Sequence, residues 1–167
     1  MKSCILICLI ILSPFVLLAQ KEVTVNGMNF SYQLKKDYIE IELAAPTSGW
    51  VGVGFNAKND IVNSDLFLFH IVNNKVEGRD MFVESFANPK DDTALGGTMD
   101  IKNLRGTEKD GKTKVIFELP FPSIDQYDFK HKMSKEFWLI LAYSTHDDFD
   151  HHSAMRKHIV YKFDELD

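Results

Sequence analysis

The sequence predicts an all-β domain, a two-sheet antiparallel sandwich, and three observations lead there. Apolar and polar residues alternate with a period of two in several short runs, the repeat of a strand that buries one face. Clusters of Gly, Pro, Asn, Asp and Ser punctuate those runs at short intervals. No stretch beyond the apolar N-terminus carries a convincing helical period, so parallel strands joined by helices are not expected.

Taken in order, Asn29-Phe30-Ser31-Tyr32-Gln33-Leu34 and Tyr38-Ile39-Glu40-Ile41-Glu42-Leu43 alternate cleanly, and Lys35-Lys36-Asp37 joins them as a hairpin connection. Further strands are expected over residues 50–55, 65–72, 76–86, 114–119, 137–143 and 158–163. Leu66-Phe67-Leu68-Phe69 is apolar on both faces, the mark of a central strand, whereas Val115, Phe117 and Leu119 share one face opposite Lys114, Ile116 and Glu118. No internal repeat or linker divides the chain, so residues 20–167 read as one domain.

Residues 1–19 read as a cleaved signal peptide. Lys2 supplies the positive start, residues 4–18 are almost unbroken apolar sequence, and Ala19 precedes charged Lys21-Glu22. A membrane anchor fits less well, because Ser13-Pro14 interrupts the run and no basic cluster holds it. The expected compartment is therefore extracellular or periplasmic, with no membrane span after cleavage. Both cysteines, Cys4 and Cys8, lie in that leader, so the domain is expected to fold without a disulfide and to work without a thiolate.

The 167 residues carry 19 basic and 24 acidic side chains, a net charge of −5, which argues against a nucleic-acid partner. Thirteen Phe, five Tyr and two Trp need burial in a core or a place around a ligand. There is no Gly-x-Ser-x-Gly elbow, His-Glu-x-x-His pair or phosphate loop, so stand-alone catalysis is not expected.

The element Ser48-Gly49-Trp50-Val51-Gly52-Val53-Gly54-Phe55-Asn56 is followed by Asn63-Ser64-Asp65, Gly78-Arg79-Asp80-Met81-Phe82, Asn88-Pro89-Lys90-Asp91-Asp92 and Trp138-Leu139-Ile140-Leu141-Ala142-Tyr143. A His-rich segment ending His152-Ser153-Ala154-Met155-Arg156 closes the series. In this order the pieces resemble the DOMON domain, the extracellular module of dopamine β-monooxygenase that is related to the cytochrome domain of cellobiose dehydrogenase. The resemblance implies an immunoglobulin-like sandwich that holds haem b or, in other branches, a sugar. It implies His152 as axial ligand, Arg156 four residues later meeting a propionate, and chemistry on a partner protein that exchanges electrons with the haem. Haem-binding relatives often have a second ligand, a Met about four residues before the Asp, and this chain has Ile61 there. Met81, Met99 and His70 are the candidate replacements, each with a competing role in packing.

Several of these residues also carry a plain structural reading. Gly49, Gly52 and Gly54 let a backbone, the Trp50 ring or a flat ligand approach closely, and packing and ligand contact both remain open. Asp65, opening an apolar strand, reads first as a turn-fixing carboxylate. The segment from His146 to His158 holds four of the six histidines and leaves three readings open: a solvated loop, a haem ligand, or a divalent-metal site. The metal site would use His146, His151 or His152 with Asp148 or Asp150. If the ligand is instead a sugar, Trp50, Tyr127 and Trp138 are the aromatic platforms available.

Overall fold

A computed structural model describes residues 21–164. The expected leader and its two cysteines lie outside these residues. Eleven strands form two antiparallel sheets, as the sequence predicts. One sheet has the order β1-β2-β3-β9-β8, from Lys21–Val25 (β1), Met28–Leu34 (β2), Tyr38–Ala45 (β3), Lys102–Lys109 (β8) and Lys112–Pro120 (β9). The other has the order β11-β10-β4-β5-β6-β7, from Val51–Asn56 (β4), Asp65–Val72 (β5), Lys75–Ser85 (β6), Asn88–Asp91 (β7), Phe137–Tyr143 (β10) and Met155–Tyr161 (β11). No helix among the described residues is long and apolar enough to cross a membrane.

The period-two pattern becomes the core. Phe30, Ile39, Ile41, Leu43, Val115 and Phe117 point inward from the first sheet to meet Val53, Phe55, Phe67, Phe69, Leu139 and Leu141 of the second. Phe69 and Phe117 meet across the sandwich with ring centroids 4.4 Å apart. Strand β5 is central, paired with β4 and β6, and its apolar residues divide between two faces. Phe67 and Phe69 enter the core, whereas Leu66 and Leu68 turn outward into a small second cluster with Trp50, Met81 and Ala142.

Three strands and one short helix were not foreseen. The edge strands β1 and β8 are mostly exposed and rich in polar residues, and β7 is four residues long and contains Pro89, so none shows a core-forming alternation. A four-residue helix, Asp92–Leu95 (α1), follows β7 and ends at Gly96, whose φ of 91° is left-handed. The last strand starts at Met155 rather than residue 158, because pairing of Tyr143 with Met155 carries the ladder back to the His-rich segment.

Candidate functional site

The outer face of the six-stranded sheet carries a cleft of about 240 Å³. Sheet register sets its floor: Leu66 and Leu68 of β5, Ile140 and Ala142 of β10, and Trp50 just before β4. Three loops supply the walls. Ile61 comes from the β4–β5 loop, Phe86 and Ala87 from the β6–β7 turn, and His151, His152 and Ser153 from the β10–β11 loop, with Arg156 at the start of β11. Phe86 is 79% exposed, an aromatic ring standing on the rim.

Hydrogen bonds fix each wall. The Asn56 side-chain amide donates to the carbonyls of Asp60 (2.7 Å) and Val62 (2.9 Å), and the Ser64 hydroxyl donates to the Ile61 carbonyl at 2.6 Å. Together they hold the β4–β5 loop so that Ile61 faces the cleft. Across it, the Trp50 indole N–H donates to the His151 carbonyl at 3.1 Å and the Ser144 hydroxyl to the His152 carbonyl at 3.1 Å. The His152 imidazole itself is exposed on the cleft and makes no hydrogen bond among the described residues. Arg156, also exposed there, forms no ion pair among them.

The other expected ligand and platform residues are placed differently. Met81 is 1% exposed, packed with Trp50 and Leu68 and absent from the cleft lining. His70 stacks on Phe149 with ring centroids 4.2 Å apart, and its Nδ1 is engaged by the Asp147 carbonyl. Met99 is solvent-exposed and away from the cleft. Tyr127 donates its hydroxyl to the Leu95 carbonyl at 2.8 Å, packs on Phe82 and lies outside the cleft lining. Trp138 sits on β10 outside the cleft lining, and Trp50, 5% exposed, forms floor rather than an open stacking surface.

The glycines divide the two roles left open for them. A side chain at Gly49 would place Cβ 2.5–2.7 Å from backbone atoms of Ser144 and His146, so the missing Cβ lets the β10–β11 loop cross there. At Gly52 it would collide with Leu68 of the cleft floor. At Gly54 it would make ordinary contacts at 3.4 Å with Ile140 and Leu66, so this position sits beneath the floor without being closed off by it.

Two groups of side chains could hold a metal ion. One lies on the loop beside the cleft: His146, Asp148 and His151 each offer a ligand atom, all within 4.8 Å of one another. Asp150 and His152 do not join this group. The other, missed by sequence reasoning, is a set of carboxylates on the opposite side of the sheet. There Asp92, Asp125 and Asp128 converge within the same 4.8 Å, an all-oxygen set of the kind hard cations favour. Asp65 and Asp80 stand close by: Asp65 accepts from the Phe129 N–H at 2.9 Å and Asp80 from the Asp100 N–H at 2.7 Å. Asp65 thus ties the head of β5 to the β9–β10 connection, a structural role but a long-range one, where the sequence suggested a carboxylate fixing its own turn. Asp92 is fully buried and neither of its carboxylate oxygens has a hydrogen-bond partner. Burial, then the neighbouring carboxylates, raises Asp80 to about 8 and Asp92 to about 7, and Asp65 is raised well above its ordinary value for the same reasons.

Comparison with known proteins places the chain. The family model of the DOMON domain matches residues 25–144. The chain belongs to the DOMON family. A mouse relative, DBH-like monooxygenase protein 2, is 29% identical over 101 residues, 60% of this chain but 16% of its own length. The human DBH-like monooxygenase protein 2 is 30% identical over 101 residues, again 60% of this chain and 20% of that protein. The chain therefore matches only a minor part of the curated relatives. Among solved structures, this DOMON fold is similar to the cytochrome domain of Myriococcum thermophilum cellobiose dehydrogenase, with a TM-score of 0.64, 13% identity, and coverage of 87% of this chain and 82% of that one. It is also similar to the cytochrome b domain of Coprinopsis cinerea pyranose dehydrogenase, with a TM-score of 0.62, 10% identity, and coverage of 81% and 76%. At these identities the likeness establishes the fold.

Proposed function

We propose that this DOMON domain binds haem b in the outer-face cleft and serves as an electron-transfer module, with any catalysis carried by a partner protein. One observation carries this reading: Ile61, far from His152 and Arg156 in sequence, lines the same apolar-floored cleft as they do. The family resemblance assigns a second axial ligand to position 61, the axial ligand to His152 and the propionate partner to Arg156. His152 would hold the iron through an imidazole that no other hydrogen bond engages, and Arg156 offers an unpaired guanidinium to a propionate. Leu66, Leu68, Ile140 and Ala142 would exclude water from the porphyrin face. Bound haem would supply a one-electron couple. Ile61 has no ligating atom, so the β4–β5 loop would offer the iron no ligand. At about 240 Å³ the cleft lies below the ~300–1,000 Å³ usual for small-molecule sites, so it would cover only part of a porphyrin and leave the rest in solvent.

The supporting experiment is haem titration of the purified domain followed at the Soret band. A saturable band is expected for wild type and for His146→Ala, and a loss of at least tenfold in affinity for His152→Ala. Equal binding by His152→Ala would remove the axial-ligand assignment. Export beyond the cytoplasm rests on residues 1–19 alone; the exported protein is expected to begin at Gln20 or within a residue or two of it, and intact mass spectrometry checks this.

A further inference from the structure

We infer that His146, Asp148 and His151 form a surface binding site for a borderline divalent transition-metal ion of the zinc–copper class. The site shares His151 with the cleft wall but uses neither His152 nor Arg156, so it does not rest on the haem reading. Its donor chemistry sets the ion class. Two imidazole nitrogens and one carboxylate oxygen suit zinc, copper, nickel or cobalt, whereas calcium and magnesium seek all-oxygen shells.

The geometry is already close to what an ion requires. The three ligand atoms lie within 4.8 Å of one another. With ion–donor bonds of about 2.1 Å, two donors on a tetrahedral ion stand about 3.4 Å apart, so closing the set takes side-chain rotation rather than loop rebuilding. The His146 and His151 rings are stacked with centroids 4.0 Å apart and planes inclined by 16°, so at least one imidazole must turn about its side-chain torsions before both nitrogens aim at one ion. The Asp148 carboxylate already meets His151 Nδ1, at 2.6 and 2.7 Å from its two oxygens, and there an ion would take the place of the shared proton.

The loop that carries the donors is held on the sheet at both ends and in the middle. Trp50 N–H donates to the His146 carbonyl at 3.0 Å, and Ser144 N–H donates back to the Trp50 carbonyl at 2.9 Å. Phe149 is packed between the His70 ring and the Arg79 guanidinium, the latter 5.8 Å from its ring centroid. Trp50 clasps the His151 carbonyl, and Ala154 N–H returns to the Tyr143 carbonyl at 2.9 Å. Within the loop, Asp148 accepts from the backbone N–H groups of Asp150 and His151, each at 3.1 Å, which fixes its carboxylate toward the two imidazoles. This anchoring lowers the ordering cost of binding, the usual weakness of sites on flexible loops. With three protein ligands, the remaining coordination positions fall to water or a small anion, so the site is open rather than closed.

The test is calorimetric titration of haem-free protein with Zn²⁺, supported by the visible spectrum of the Co²⁺ form. One saturable equivalent is expected, with affinity falling at least tenfold in His146→Ala, His151→Ala and Asp148→Asn and unchanged in His152→Ala and Asp150→Asn. Co²⁺ should develop d–d bands that the same three variants abolish. All five side chains lie on the surface loop, and thermal melts confirm that each variant is folded before titration. Absence of saturable binding, binding that survives all three ligand variants, or loss in His152→Ala would each overturn the assignment. The last outcome would move the ion into the cleft and onto the residue proposed to hold the haem iron; the other outcomes leave the haem reading untouched.

Discussion

Two buried titratable groups make opposite demands on pH. Burial raises Asp92 to about 7 against an ordinary 3.8, so the folded chain holds a proton that the unfolded chain releases. Its contribution to stability is full below about pH 4 and declines as pH rises toward 8. Asp92→Asn should therefore gain on wild type as pH goes from 5 to 8, by about 2.5 kcal/mol, because about two units of the shift fall inside that range. His131 runs the other way. Its ring packs against Phe55 at 4.7 Å and against Phe129 and Phe163 at 5.0 Å, and burial lowers it to about 3. The unfolded chain takes up a proton below about pH 6.5 that the folded ring refuses, so stability is lost as pH falls through that value. His131→Phe, which replaces an unpartnered Nδ1 with a ring among rings, should gain on wild type by about 2 kcal/mol in all from pH 7 to pH 5. Denaturant melts of both variants across pH 5–8 check the pair, and slopes of the same sign would contradict this account. Neither group was legible in the sequence. Asp80 lies on β6, Asp92 in α1, and Asp125 and Asp128 on the β9–β10 connection, and only the folded chain brings them together.

At the scale of the strand, the Gly-x-x-Gly-x-Gly spacing resolves into different constraints. Gly49→Ala should cost the most, about 1–3 kcal/mol, because backbone rather than a movable side chain occupies the space. Gly54→Ala should cost least and Gly52→Ala an intermediate amount, since Leu68 can turn toward the cleft. Urea denaturation of the three variants tests that order. The strong alternations of β2, β3 and β9 were readable because each buries one face. The edge strands lacked that signal, yet two left a local one. Asn26-Gly27 and Asp110-Gly111 turn with positive φ at both residues (49° and 82°, 53° and 70°), the hairpin geometry these dipeptides favour, and they join β1 to β2 and β8 to β9. Reading the turns first would have found both strands. The apolar outer residues of β5 were also visible as Leu66 and Leu68, but a two-faced apolar strand reads only as central, and the cleft that explains them needs loops from three places.

For the molecule as a whole, the two sheets were legible because the core follows from alternation. The cleft was legible only residue by residue, through the positions the family resemblance marked. Phe86, the ring on its rim, carried no sequence signal: it ends a strand-like run, and only the turn at Ala87, with φ of 56°, sets it outward. If the cleft is a haem site, the side chain at position 61 decides the sixth coordination position. The measurement that tests this most directly is the absorption spectrum of haem-loaded wild type beside Ile61→Met, oxidised and reduced. Wild type should show a substantial high-spin component, and Ile61→Met should convert to a low-spin, six-coordinate spectrum with a raised reduction potential, as a His–Met pair gives. Identical spectra for the two proteins, or no haem taken up by either, would contradict the placement of haem between His152 and residue 61.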